Sequence, residues 1–202
     1  MNNQDHVLYS NYLVRHRLKQ NRGSFGQRDS EMTKTYRAEW AAQADMRMMD
    51  LYPTFSDIKE AQRFTKKVCR SKTWAKLYEE NRASKPTSEL PVRLKMTGHG
   101  RKTAGFTNGR RIVLDPHSGM NVYVLLHEMA HCLGHMHHGR SFRRDLLKLV
   151  SRFMGRPQAA ALKNAFKAHK LPCGDARKPL TFEQWKAARD RMVNARKKML
   201  DC

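Results

Sequence analysis

His127 and His131 stand four residues apart in the run Val124-Leu125-Leu126-His127-Glu128-Met129-Ala130-His131. Residues at that spacing share one face of a helix, so the two imidazoles project about a turn apart and can grip a single metal ion. Glu128 falls beside them, where a carboxylate can take a proton from an activated water instead of binding the ion. The spacing is H-E-x-x-H, and its chemistry is zinc-assisted hydrolysis. A catalytic zinc keeps three protein ligands and one open position, whereas four ligands close the site. The third ligand therefore matters, and His135, His137 and His138 all follow Gly134. Read from His127 to His137, the chain satisfies H-E-x-x-H-x-x-G-x-x-H, the metzincin spacing, with His137 as ligand. Read from His138 to Phe142, His-Gly-Arg-Ser-Phe is a histidine on a turn, a glycine that relaxes the backbone and an apolar residue opening the next helix. Residue spacing leaves both open.

The elements that must position these groups follow from periodicity. Asn121 can cap a helix whose apolar positions Val122, Leu125, Leu126, Met129 and Leu133 form one buried face, with Gly134 as its stop. Upstream, Met32, Tyr36, Trp40 and Ala44 recur at about a helical turn and predict a packing helix over Glu31 to Met49, closed by Pro53. A second helix starts near Ser56 or Asp57 and buries Ile58, Ala61, Phe64 and Val68; a third carries Trp74, Leu77 and Tyr78. Alternation at Val92, Leu94 and Met96, and two short runs flanking Asn108-Gly109 (Ala104 to Thr107, Arg111 to Leu114), predict a small, largely antiparallel sheet of about three strands. Two further helices bury Phe142, Leu146, Leu149, Val150 and Phe153, then Leu162, Ala165 and Phe166. Thr181 with Gln184 opens a last helix with Trp185, Ala188, Met192, Ala195 and Met199 on one side. The expected class is α+β. Cys132 reads as packing and Met154 as the apolar end of a helix. No residue can be named for oxyanion stabilisation: His117, His169 and Arg101 are the candidates, and each reads first as a surface residue.

Forty Lys and Arg against 18 Asp and Glu give a net charge of +22. That balance argues against an enzyme working with no polyanion nearby. From Gly139 onward, 17 Lys and Arg oppose five Asp and Glu, so 17 − 5 = +12 of the charge lies in the last 64 residues. Lys186, Arg189, Arg196 and Lys197 fall largely opposite the apolar stripe of the last helix, which suits non-specific contact with nucleic-acid phosphates as well as a solvated basic face. The longest apolar run, Val122 to Leu126, is five residues, far short of the roughly 20 that span a bilayer. Charges interrupt the N-terminus where a secretory signal needs an apolar core. Cys69, Cys132, Cys173 and Cys202 show no paired spacing, which together with the missing leader predicts a reducing cytoplasm. Three segments are expected: a loosely ordered basic arm over residues 1–30, bearing at most a short helix near Tyr9 to Leu18; a metal-binding domain over 31–178; and a basic helix over 179–202, beyond the Lys178-Pro179 break.

From about Ile58 to Leu171 the sequence resembles a family of small metallohydrolases of actinobacteria and their phages, and more distantly the SprT-like and WLM-type metalloproteases. The resemblance is carried by Ser71 to Trp74 after a helix, the hairpin Gly109 to Pro116, Val124 to His131, His138 to Phe142 and the run Leu146 to His169. It implies a zincin-like fold, a Zn2+ cofactor held by His127, His131 and His138, and Glu128 as catalytic base. It also implies a protein or peptide substrate, held in some zincins against the edge of the sheet; Arg111 to Leu114 or Ala104 to Thr107 can serve here by strand addition. The short loop between the second and third histidines departs from the family and keeps His137 as an alternative. Two further classes stand beside the peptidase. Bacterial endoribonucleases of the YbeY type show a similar H-x3-H-x5-H spacing, matched by His127, His131 and His137. A zinc-stabilised binding module associated with nucleic acid needs a fourth ligand from His135 or Cys132.

Overall fold

In a computed structural model, residues 3–19, 29–82, 87–95, 103–175 and 180–200 are described. Met96, Arg101, Cys202 and the Lys178-Pro179 break, all singled out above, lie outside them, as do residues 20–28 of the expected basic arm and the side chain of Lys197. The described elements are helices α1 (Asn3–Lys19), α2 (Met32–Met48), α3 (Ile58–Cys69) and α4 (Lys72–Arg82), strands β1 (Val92–Leu94), β2 (Gly105–Thr107) and β3 (Ile112–Leu114), then helices α5 (Val122–Cys132), α6 (Arg140–Phe153), α7 (Arg156–Ala168) and α8 (Phe182–Leu200). The fold is α+β with a three-stranded sheet among the described residues.

The strand order is β1-β3-β2. β2 and β3 form the expected hairpin, Phe106 opposite Val113, with Asn108 Oδ1 accepting from the N–H groups of Arg110 and Arg111 to close its turn. β1 pairs with β3 in parallel, Arg93 opposite Val113. The sheet is therefore mixed, a correction to the largely antiparallel one expected. The long connection between β1 and β3 leaves room for the chain to re-enter in the same direction, which a hairpin cannot do.

α5 crosses the sheet against β2 and β3 and is buried on nearly every side. Asn121 caps it as expected: its side chain accepts from the Val124 N–H at 2.8 Å, a cap worth about 1 kcal/mol. Its start is also tied to the chain leaving α2, through Val122 N–H to the Pro53 carbonyl and Phe55 N–H to the Met120 carbonyl. α6 packs on α5, α7 on α6, and α2 on α7, so that the N-terminal half of α2 lies beside the histidine helix.

The apolar stripe predicted for α2 is not the face it buries. Met32 and Trp40 are exposed, as is Ala44, whereas Thr35, Ala38, Glu39, Ala42, Gln43 and Met46 are buried. A helix face containing Thr, Glu and Gln is invisible to a search for apolar periodicity, and two of those polar residues are buried because they serve the site described below.

At the chain ends the expected last helix is present, and the helix expected near Tyr9 to Leu18 is longer. α1 runs the length of Asn3–Lys19 and packs on α8. Tyr9 meets Phe182 and Trp185 with ring centroids 5.3 and 5.6 Å apart, and its hydroxyl donates to the Leu180 carbonyl at 2.8 Å. Asp5 pairs with Arg189 and Lys186. Thr181 and Gln184 exchange the two hydrogen bonds of a capping box. The stripe on α8 is divided: Trp185 faces α1, while Met192 and Met199 are 74% and 80% exposed.

Candidate metal centre

His127 and His131 lie on α5, and the chain after it must return to bring a third side chain over the same face. Gly134, with φ of +105°, makes that return in a conformation that costs a β-carbon residue dearly. The loop delivers His138, and its ligand nitrogen lies with those of His127 and His131 within 4.8 Å of one another. His138 Nε2 is 3.2 Å from His127 Nε2 and 3.3 Å from His131 Nε2. Three imidazole nitrogens so close need a proton or a metal cation shared among their lone pairs. Tetrahedral zinc with Zn–N bonds of about 2.0–2.1 Å sets its ligand nitrogens about 3.3 Å apart, so the donor set and its spacing fit that ion.

The opposite ring nitrogens explain the convergence. His127 Nδ1 faces the Glu39 carboxylate at 3.1 Å, His131 Nδ1 donates to the His135 carbonyl at 2.6 Å, and His138 Nδ1 donates to Asp29 Oδ2 at 2.6 Å. With a hydrogen-bond acceptor at each Nδ1, the proton belongs there, and each Nε2 presents a lone pair. Phe142, fully buried on α6, packs against all three rings at centroid distances of 5.1, 4.6 and 4.9 Å. The apolar residue expected to open that helix is thus the back wall of the site.

The other two loop histidines are employed elsewhere. His135 is buried with its Nε2 2.8 Å from Asp145 Oδ2, and Asp145 is held in turn by Arg144 and by Asn81 Nδ2. His137 sits outside the ligand group, 3.9 Å from Asp29. Arg143, buried without exposure on α6, donates to the His138 carbonyl, to Thr35 and to Glu31, and through Nε and Nη2 to the Pro172 carbonyl. It fixes the backbone that carries the third histidine. Cys132 packs with its sulfur 3.3 Å from Thr107 Oγ1, away from the ligands, and Met154 follows the end of α6.

Protonation follows from these surroundings. Burial, reinforced by positive charge on neighbouring His127 and His138, holds His131 well below the ordinary imidazole range. Burial also lowers His138, with the Asp29 hydrogen bond opposing it. For His127 burial is outweighed by Glu39, and its pKa is raised. Burial pushes Glu128 up from 4.5 to about 7, against the pull of His127.

Glu128 is not among the ligands. It lies with His127 in a cavity of about 380 Å³ bounded by Tyr36, Glu39, Trp40, Gln43 and Arg47 of α2, by Thr103, Ala104 and Gly105, and by Ser118, Tyr123 and Val124. β2 is one of the two edge strands of the sheet among the described residues and passes over Glu128: a β-carbon at Gly105 would stand 3.0 Å from Glu128 Cγ. Two of the oxyanion candidates, His117 and His169, do not line this cavity. His117 is exposed before α5, His169 ends α7, and Arg101 lies outside the described residues. Tyr36 lines it instead, its ring 5.8 Å from His127 and 4.8 Å from His138. Burial, with Glu128, Glu39 and Asp29 nearby, raises its pKa and keeps the phenol protonated.

Asp29, Glu39, Tyr36 and Arg143 are the site residues that motif reading missed. Their partners are 103 to 112 positions away for the contacts of Thr35, Asp29 and Glu31 with the His138 turn, and 88 for Glu39 with His127. The only signal available was chemical: a histidine ligand needs an acceptor behind its Nδ1, and 18 acidic residues offered too many choices. No protein-family model matches the chain, and searches of curated proteins and of solved structures return no match.

Proposed function

We propose that the chain is a zinc-dependent metallohydrolase that cleaves peptide bonds, with His127, His131 and His138 holding the ion and Glu128 as general base. The observation that carries this reading is the division of labour on α5: His127 and His131 join the histidine group, while Glu128, between them in sequence, stands outside that group and faces the cavity. A carboxylate beside the ion and outside its ligand set can take the proton of an attacking water.

A zinc ion bound by the three histidines supplies Lewis-acid polarisation of the scissile carbonyl and a water of lowered pKa. Glu128 accepts the proton of the attacking water as the oxygen–carbon bond forms, and returns it to the amide nitrogen as the carbon–nitrogen bond breaks. Tyr36, kept protonated, is placed on the cavity wall to donate to the developing oxyanion. The β2 edge offers its free backbone groups to an extended substrate above Glu128.

The nuclease reading rested on His137, which is outside the ligand group, and the binding-module reading on a fourth ligand from His135 or Cys132, which are bonded to Asp145 and packed on Thr107. Neither gains support from the geometry. No described helix is long and apolar enough to cross a membrane, and the basic surface leaves an anionic partner as part of the proposal. Glu128→Gln tests the mechanism: it should bind zinc as the parent does and lose peptide hydrolysis by about 100-fold or more. Unchanged cleavage of a casein or peptide substrate would overturn it.

A further inference from the structure

The cavity beside Glu128 is lined along α2 from Tyr36 to Arg47, and Arg47 brings a cation to its wall. Tyr36, Gln43 and Arg47 form a stripe along α2, with Glu39 and Trp40 beside it. From Tyr36 to Arg47 the helix rises about 16 Å, the length of about five residues of an extended strand. One wall of the groove is thus α2, the other is the approach to the β2 edge, and Tyr123, Val124, His127 and Glu128 of α5 make the floor.

The two ends differ in charge. Near the histidines stand the carboxylates of Glu39 and Glu128, which disfavour an acidic group next to the scissile bond. At the other end Arg47 lies over the Tyr52 ring, its guanidinium carbon 4.5 Å from the centroid. The Tyr52 hydroxyl is within hydrogen-bond distance of Gln43 Oε1 (2.6 Å) and of Asn121 Oδ1 (2.9 Å), so the surface beneath Arg47 is fixed to both α2 and the cap of α5. No ion pair engages Arg47 among the described residues. Tyr123 adds a polar group between the two ends. Its hydroxyl is buried, senses Glu39, and closes no hydrogen bond of ordinary geometry.

We propose that this groove selects an acidic segment of an extended polypeptide, with a substrate Asp or Glu docked on Arg47 about five residues from the cleaved bond. The assignment rests on the hydrolase reading for the cleaved bond, and on Arg47 alone for the acidic preference. A planar guanidinium held by an aromatic face is pre-organised to take a carboxylate through two parallel hydrogen bonds. A net charge of +22 draws acidic chains to the protein at large, so the test must separate this groove from bulk attraction.

The experiment has two arms, both on the full-length, zinc-loaded protein at physiological ionic strength. In the first, fluorescein-labelled Gly/Ala/Ser peptides carrying a single Glu, or Gln in its place, are titrated with Glu128→Gln and followed by anisotropy. The Glu peptide should bind about tenfold more tightly than the Gln peptide, the worth of one charge-assisted contact. Adding Arg47→Gln should erase that ratio, and adding Lys76→Gln, an exposed α4 residue, should not. In the second arm, products of the parent protein acting on the Glu-scanned peptides are mapped by mass spectrometry, and the cut should keep its distance from Glu as Glu is moved. An Arg47-dependent preference without any cleavage would support the docking site and refute the hydrolase. Equal binding of the two peptides, no binding of either, or a ratio lost as readily in Lys76→Gln would overturn the proposal.

Discussion

Removing Asp29 is the most informative single perturbation of the metal centre, because this carboxylate orients His138 and touches no other ligand ring so closely. It accepts from His138 Nδ1 at 2.6 Å and from the His138 backbone N–H at 2.8 Å. Burial would raise its pKa, but those donors outweigh burial and bring it from 3.8 to about 2. A shift of nearly two units, at 1.36 kcal/mol each, is about 2.5 kcal/mol; discounted for solvent screening and for the Glu31 N–H that shares it, about 2 kcal/mol couples Asp29 to the His138 turn. If that coupling is what holds the ring in the binding tautomer, its loss weakens zinc about 30-fold, within the 10–100-fold range of outer-shell substitutions. Asp29→Ala should therefore lower zinc affinity by that amount in competition with a chromophoric chelator. Asp29→Asn should lose less, since the amide oxygen still accepts from Nδ1. Asp5→Ala, which breaks the pair with Arg189 in the α1 and α8 contact, should leave affinity unchanged. Parent-like affinity in Asp29→Ala would refute the claim that an acceptor behind each ring organises the site.

Three further outcomes follow from the same structure. Asp145 is fully buried between His135, Arg144 and Asn81, so Asp145→Ala strands buried partners and should destabilise the fold by about 3–5 kcal/mol in denaturant unfolding; a loss under 1 kcal/mol would show the network to be idle. Glu128, raised from 4.5 to about 7, contributes stability to the metal-free chain that is complete below pH 4.5 and is lost as pH rises through 7. Zinc binding, which needs neutral histidines, strengthens over the same interval, so the gain in Tm on adding zinc should grow from pH 5.5 to 8, and a gain that shrinks would contradict the assignment. Deleting residues 181–202 removes α8 from α1 and should leave zinc affinity intact, because the ligands and their supports lie on α2, α5, α6 and the loops joining them; loss of zinc would place α8 in the metal domain.

The histidine helix was readable because everything it needs is local: a cap at Asn121, one buried face, a ligand pair at i and i+4, and a glycine to end it. The choice between His137 and His138 was not, because it depends on the direction in which the turn presents each ring, and that direction is set by Arg143 gripping the His138 carbonyl and Asp29 gripping its N–H and Nδ1. The boundary expected at residue 30 also separated Asp29 from the site it completes. α2 misled in an instructive way. Its apolar residues Met32 and Trp40 face outward while Glu39 and Thr35 are buried, since the neighbouring histidines give a buried carboxylate a partner that compensates its desolvation. The parallel β1 and β3 pair and the α1 and α8 contact join segments distant in sequence, and local patterning holds no record of them.

A single zinc ion on the three Nε2 atoms is the proposal on which the rest depends, and zinc-edge X-ray absorption on the purified, zinc-loaded protein, paired with ligand substitution, decides it. About one zinc per chain is expected, with three imidazole nitrogens at about 2.0–2.1 Å and one further light-atom ligand. His127→Ala, His131→Ala and His138→Ala should each abolish that signature, and His137→Ala and His135→Ala should retain its three-nitrogen shell. A shell that survives His138→Ala and is lost in His137→Ala would contradict it.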